Sequence, residues 1–311
     1  MGLVDAVLDR SVLFSFDRSG FERHQRGFDP ADKEASLRGR VCLVTGANSG
    51  LGLEAARGLA ERGAAVHLLC RSAGRGAAAR EEIARTTGSP AAHLQVVDLS
   101  SLESIRAFAR RLDAGRVDVL IHNAGLLPQE RQLSPEGFEL TVATHVVGPF
   151  LLTRLLRPRL QDARVIFVTS GGMYARRFAL DRMLATSGRY DGVSSYAMTK
   201  RAQVILSDLW AAELRSSGTV VNAMHPGWAA TPGVERSLPG FSRLMEGRLR
   251  TAAEGADTIV WLAASRRGGE ETAKLWFDRR AVSKHLLPWT READHERRRL
   301  WRWCEEVTRS G

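Results

Sequence analysis

From residue 41 onward, six short apolar runs alternate with helical stretches, and that alternation admits few folds. The runs are VCLVT (41–45), AAVHLLC (64–70), HLQVVD (93–98), VDVLIHN (117–123), RVIFVTS (164–170) and TVVNAMHP (219–226). Several are apolar almost throughout, the pattern of parallel strands covered on both faces. Parallel neighbours need crossover connections, and the intervening LEAARGLAERG, SLESIRAFARRL and KRAQVILSDLWAAELRSSG carry helical periodicity. The fold class is therefore α/β, doubly wound, with helices on both faces of a parallel sheet. No repeat or low-complexity linker interrupts the 311 residues, so residues 39–311 are expected to form one domain. Residues 1–38 read as an N-terminal extension, amphipathic and then polar, that packs as a helical flap or stays mobile.

The first run leads into TGANSGLG, with Gly46, Gly50 and Gly52 ahead of a helix. Glycine is needed where the backbone turns tightly and approaches a phosphate at the positive end of a helix. Strand, loop and helix in the first βαβ unit is the context a dinucleotide-binding loop requires. Nineteen residues beyond Gly52, at the end of the second run, stands Arg71. An acidic residue there would hold a ribose 2′-hydroxyl, whereas arginine accommodates a 2′-phosphate. NADP(H) is therefore the preferred cofactor, with NAD(H) second. Asp98, ending the third run, is either an acceptor for the adenine amino group or a helix N-terminal acid.

In SSYAMTKRA, Tyr196 and Lys200 stand four apart and so share one helix face. A phenol is a poor proton shuttle at neutral pH unless a nearby ammonium stabilises the phenolate. With Lys200 beside it, Tyr196 can protonate a carbonyl oxygen or take a hydroxyl proton. Ser170 ends the fifth run at the carboxyl edge of the sheet, where ligands bind, and could hold that oxygen. A further polar residue, His145, sits among apolar neighbours in TVATHVVGPF.

Composition excludes several functions. The formal charge is +10 and the pI about 10.4, but the basic residues are nearly all arginine and dispersed. Only ERRRLWRW forms a dense basic cluster, so no specific nucleic-acid partner is expected. No run has the roughly 18 apolar residues of a membrane span. No secretory signal is expected from the start, and peripheral membrane contact through residues 1–20 or the Trp301–Trp303 tail stays an option. Cys42, Cys70 and Cys304 are widely spaced, with neither metal nor disulfide spacing, which fits a cytoplasmic protein without metal.

TGANSGLG, HNAG (122–125), VTS ending at Ser170, YAMTK and HPGWAAT resemble, in order and spacing over residues 38–280, the motif series of the short-chain dehydrogenase/reductases. MHPGWAATPGV, GADTIVWLA and DRRAVSKHL are most similar to its retinol-dehydrogenase-like enzymes and their member-12 branch. The resemblance implies a Rossmann-type sheet of about seven strands, with Ser170, Tyr196 and Lys200 as catalytic core. Cofactor contacts fall to Thr45, Gly46, Asn48, Ser49, Gly50, Leu51, Gly52, Arg71, Asp98 and Leu99, then to Asn123, Ala124, Gly125, Tyr196 and Lys200. Pro226, Gly227 and Thr231 would lie near the nicotinamide. Relatives often pair through the helices carrying TVATHVVGPF and YAMTK, which implies a homodimer.

The chain departs from the family in three places. His145 replaces an asparagine that holds a proton-passing water, and a histidine, which donates, accepts and titrates, could take over that relay. His122 replaces a second asparagine. The Ser170–Tyr196 interval is about twice the usual, and its extra residues are expected to form an arginine-rich loop over the site. The expected function is NADP(H)-dependent hydride transfer between nicotinamide and a carbonyl/alcohol pair, on a small, apolar substrate facing Leu238, Phe241, Leu244 and Met245. The alternative is a dinucleotide-binding sensor or scaffold with little turnover, because the relay asparagine is lost to His145.

Overall fold

The computed structural model describes residues 12–237 and 239–309. Eight strands form one sheet in the order β3-β2-β1-β4-β5-β6-β7-β8. They are β1 (Val41–Thr45), β2 (Ala65–Cys70), β3 (Ala92–Val96), β4 (Val119–His122), β5 (Arg164–Val168), β6 (Val220–Met224), β7 (Leu275–Phe277) and β8 (Arg280–Val282). The first seven run parallel, and β8 turns back antiparallel on β7. The doubly wound, Rossmann-type sheet is thus present with its seven parallel strands, and the short edge hairpin is an addition.

Side chains alternate across the sheet and feed two cores. Cys42, Val44, Val119, Ile121, Ile166 and Val168 pack on one face against α3 (Gly50–Glu61), α4 (Ala73–Thr87) and α8 (Ala252–Ala264). Leu43, Leu120, Val165 and Phe167 pack on the other, against α5 (Leu102–Arg111), α6 (Gly148–Leu156) and α7 (Gly192–Glu213). Both faces are covered, which is why the strands read as unbroken apolar runs. The crossover helices α4, α5, α7 and α8 start on the polar caps Ser72, Ser101, Asp191 and Thr251, whose side chains accept from first-turn amides.

Two elements complete the second core. The last helix, α9 (Asp294–Arg309), buries Leu300, Cys304 and Thr308, four residues apart on one face. Its Trp301 ring lies 4.9 Å from both Phe150 on α6 and Trp210 on α7, and Arg154 donates to the Thr308 carbonyl. The helices through which pairing was expected are therefore covered by the chain's own C-terminal helix. At the other end, α1 (Val12–Phe16) and α2 (Arg18–His24) seat Phe16 against Tyr174, His225, Trp228 and Phe277. The described part of the extension is thus a packed helical flap; residues 1–11 lie outside the described residues.

One knot fixes that flap. Asp278 and Arg279 form the two-residue β7–β8 turn at φ of 45° and 57°, a left-handed conformation that aspartate tolerates better than most residues. Arg279 is held there by a two-pronged bond to Asp257. The turn points the buried Asp278 carboxylate at Arg250, 1% exposed, whose two terminal nitrogens reach it at 2.6 and 2.9 Å. The same guanidinium donates to the carbonyls of Ser15, Phe16 and Asp17, and His24 Nδ1 lies 2.6 Å from Asp278.

Candidate active site

The carboxyl ends of β1, β4, β5 and β6 meet at one edge, and the glycine loop, Asn123–Gly125, Ser170 and the Tyr196–Lys200 pair reach it. After β1 the chain turns through Gly46 at φ 67° and Gly50 at φ 56° into α3. A Cβ added at Gly52 would stand 2.4 Å from both Asn123 Nδ2 and the Gly46 carbonyl, so only glycine fits this floor. Thr45 Oγ1 accepts from the amides of Asn123 and Ala124, and Asn123 Nδ2 donates to the Thr45 carbonyl at 2.8 Å. Asn123 and Ala124 thereby clamp the loop between β1 and β4. Ser49 occupies the N-cap of α3 without a side-chain capping bond, and Asn48 and Leu51 flank it half-buried.

Arg71 follows β2, exposed, and has no partner among the described residues. Asp98 Oδ1 accepts from the amide and hydroxyl of Ser100, closing a turn before α5, so the carboxylate already has one local role. Leu99 backs this turn: a Cβ on Gly148 would meet its carbonyl at 2.2 Å, so Gly148 lets the helix after β4 approach.

Ser170, directly after β5, caps the turn Gly171–Ala175, its side chain accepting from the Gly172 amide. Tyr196 is half-buried; burial pushes its phenol above the usual range, and the Ser170 hydroxyl pulls it partly back. Lys200 is 3% exposed one turn further along α7, its Nζ 5.7 Å from the centre of the Tyr196 ring. Burial lowers its pKa to about 7. Its ammonium donates to the Val168 carbonyl at 2.9 Å and to Gln203 Oε1 at 3.1 Å.

His145 lies in a π-turn, Ala143–Val147, between the helical turn Leu140–Val142 and α6. Its ring stands edge-on to Tyr196, with centres 5.5 Å apart. The Leu126 amide donates to Nε2 at 3.0 Å, so Nε2 carries no proton. Nδ1 then carries it and donates to Thr199 Oγ1 at 2.9 Å, which in turn donates to the Tyr196 carbonyl. Burial, then the charge of Lys200, hold this imidazole well below its ordinary pKa. Both nitrogens of the neutral ring are engaged, and the relay expected of it finds neither one open. A Cβ on the exposed Gly125 would lie 3.4 Å from His145 Nε2 and 3.5 Å from Lys200 Nζ, which puts Gly125 between the two. His122 points the other way, into the second core, bonded to Thr153 and lowered to about 3 by burial.

On the far side, Arg250 donates to the Pro226 carbonyl, and Gly227 at φ 71° passes under the guanidinium, where a Cβ would be 2.7 Å from its carbon. Thr231 packs 3.3 Å from the Cβ position of Gly50, so the loop after β6 meets the glycine loop. The long interval after Ser170 buries Met173, Tyr174, Phe178, Leu180 and Met183, leaving Arg176 and Arg177 exposed. It is a packed segment tied to α9 through Asp181–Arg299 rather than an open loop. Met245 is buried and Leu244 80% exposed; Leu238 and the Phe241 side chain lie outside the described residues. A hollow of about 330 Å³ lined by Arg40, His67 and Asp118 opens at the opposite edge, away from this chemistry.

The family model for short chain dehydrogenases matches residues 40–239. "Dehydrogenase/reductase SDR family member 12" of Bos taurus is 38% identical over 96% of this chain and 95% of its own. The chain belongs to the short-chain dehydrogenase/reductases. "Retinol dehydrogenase 11" of Mus musculus is 32% identical over 73% of this chain and 74% of its own, in keeping with the retinol-dehydrogenase-like branch. The solved Pseudomonas aeruginosa RhlG/NADP complex superposes with a TM-score of 0.63 at 26% identity, over 80% of this chain and 96% of that one. As a short-chain dehydrogenase/reductase the protein is an oxidoreductase of a family that binds nicotinamide dinucleotides. The residues present fit such a group: the Gly46–Gly50–Gly52 cradle is one that any Cβ would fill or strain, at the start of a twelve-residue helix.

Four participants escape sequence reading. Gln203 was read only as part of a helix, although its spacing of three from Lys200 places it on the same face. Arg250 lies in no motif, and Asp278 was read only as the first residue of DRRAVSKHL. Glu139, 8% exposed, accepts from the amides of Thr141 and Val142 and from the Tyr190 hydroxyl, tying the return of the long interval to the helix before His145. Among the described residues there is no metal-ligating cluster and no helix long and apolar enough to cross a membrane.

Proposed function

We propose that the protein is an NADP(H)-dependent oxidoreductase that moves hydride between nicotinamide and a carbonyl/alcohol pair, with Tyr196 as its acid and base. The observation that carries this reading is the Tyr196 phenol, which Ser170 influences, with buried Lys200 one turn along the same helix, at the same sheet edge as the glycine cradle. The dinucleotide would lie along Gly46–Gly52, Asn123–Gly125 and Pro226–Thr231, and supplies the hydride. Ser170 donates to the substrate oxygen and fixes it. Tyr196, protonated at neutral pH, gives its proton to that oxygen in reduction and takes one in oxidation. Lys200 stabilises the resulting phenolate by charge. We read His145 as a positioning residue whose two fixed bonds hold Leu126 and the Thr199 turn of the catalytic helix.

Arg71, exposed beyond β2, supports NADP(H) over NAD(H), as does the NADP-bound relative. An apolar substrate is supported by the retinol dehydrogenase relative and by Leu244 at the loop after β6. Three free, buried cysteines support a cytoplasmic location. The test is NADPH consumption, followed by absorbance, across a panel of aldehydes and ketones with wild type and Tyr196→Phe. Turnover by wild type, reduced at least about a hundredfold in Tyr196→Phe, is the expected result. Turnover of small polar ketones alone would sink the apolar substrate. The closed nitrogens of His145 favour a second reading, a dinucleotide sensor with little turnover. NADPH binding without turnover, restored by His145→Asn, would establish it.

A further inference from the structure

We propose that Gln203 is a positioning residue for Lys200, an amide brace that holds the ammonium against the backbone carbonyl of His145. This rests on the reading of Lys200 as part of the catalytic group. The brace has two ends: Gln203 Oε1 accepts from Lys200 Nζ at 3.1 Å, and Gln203 Nε2 donates to the His145 carbonyl at 3.0 Å. Chemistry fixes the orientation, because flipping the amide would set NH₂ against ammonium and oxygen against carbonyl.

A proline removes one backbone donor from the carbonyl end. Four residues after His145 the helix has Pro149, which has no N–H, so the His145 carbonyl lacks its α-helical donor. A side-chain amide from α7 supplies one. Gln203 is fully buried, and a buried amide is costly unless both ends are bonded. An apolar side chain would pack at that place at lower cost, unless the two bonds are what the place is for.

The brace decides what Lys200 can do. Ammonium, amide and carbonyl in series pass no proton, unlike a chain of hydroxyls or waters, and His145 has both nitrogens engaged. Lys200 therefore acts as a fixed charge, with two N–H groups committed to Val168 and Gln203 and the third left for the site. The titratable groups facing it are Tyr196 on its own helix and His145 on the neighbouring one. From β5 it meets only backbone, and its own carbonyl accepts from Thr169.

The chain has four lysines, Lys33, Lys200, Lys274 and Lys284, so Lys200 can be followed singly. The experiment is a side-chain NMR titration of ¹³C,¹⁵N-lysine-labelled full-length protein between pH 5 and 10, assigned with Lys200→Arg. Gln203→Leu, which removes the acceptor, is expected to move the Lys200 midpoint down by about one pH unit. Gln203→Glu, which supplies a charged acceptor, is expected to move it up by about as much. In turnover assays the alkaline limb of kcat should move in the same two directions. A merely structural amide would lower stability or kcat without opposite displacements. Midpoints in both folded variants within about 0.3 units of wild type overturn the proposal. If Gln203→Leu does not fold, the upward displacement in Gln203→Glu decides alone. The titration needs no turnover: a wild type that reduces nothing yet shows both displacements would sink the oxidoreductase reading and leave the brace standing.

Discussion

Replacing Arg250 by methionine should cost the protein about 3 kcal/mol, and the reasoning can be followed group by group. Wild-type Arg250 shares two bonds with Asp278 and donates to four backbone carbonyls, all in a pocket where it is 1% exposed. Methionine fills most of the volume, so the loss is electrostatic rather than a cavity. Breaking a buried pair by removing one partner costs about 3–5 kcal/mol, chiefly because the survivor is left charged in low dielectric. His24 still faces Asp278 at 2.6 Å, which places the loss at the lower end of that range.

Urea unfolding of Arg250→Met, Asp278→Leu and the double variant checks this. The double variant should lose about 2 kcal/mol less than the two single losses added together, since neither survivor is then stranded. The flap should also loosen, so that trypsin cuts at Arg18 or Arg23 in Arg250→Met and not in wild type. Burial pushes Asp278 up, but the His24 bond and the Arg250 charge outweigh it and hold the carboxyl below its usual range. Its contribution is therefore present above the ordinary carboxylate pKa and lost as pH falls through the depressed value. Single losses under about 1 kcal/mol, or losses that simply add, would refute the account.

Gly52→Ala puts a Cβ 2.4 Å from Asn123 Nδ2 and the Gly46 carbonyl; NADPH affinity by fluorescence titration should fall at least about tenfold, with about 1–3 kcal/mol of stability lost. Arg71→Glu should lower kcat/KM for NADPH by about tenfold or more while leaving NADH nearly unchanged, as steady-state kinetics would show. With Lys200 lowered to about 7, its ammonium is present below that pH and lost above it, so carbonyl reduction should decline between pH 6.5 and 8.5. An activity that rises across that interval contradicts the role of the charge. Sedimentation should find the full chain monomeric, and a chain ending at Arg291 should self-associate through the uncovered Phe150 and Trp210.

The parts legible in the sequence are those that local chemistry writes. Unbroken apolar runs gave β1 to β6 within two residues at either end, because strands covered on both faces need no polar alternation. The glycine loop and the Tyr196–Lys200 pair are fixed by spacing within one turn or one helix. β7 is three residues long, between GADTIVWLA and DRRAVSKHL, and too short to show a pattern of its own. The contact of α9 with the expected pairing helices left no trace for a related reason: α9 reaches them from the end of the chain, and nothing near Phe150 or Trp210 announces it. His145 showed its position but not its partners, since the Leu126 amide and Thr199 hydroxyl come from two other segments. Gln203 is the sharpest case, as its meaning depends on the missing amide of Pro149 on another helix.

The knot of His24, Asp278 and Arg250 also sets a timetable. His24 and Asp278 are separated by 254 positions. At synthesis rates of about 5–20 residues per second, α2 waits roughly 13–50 s on the ribosome before its anchor emerges. Phe16 and Phe21, both buried in the finished protein, spend that interval without their pocket. The glycine loop and the ends of β1 and β4 need only residues 41–124 and can assemble early. The wall beside Pro226 and Gly227 closes last, so a nascent chain holds its phosphate cradle well before it has a complete chamber for chemistry.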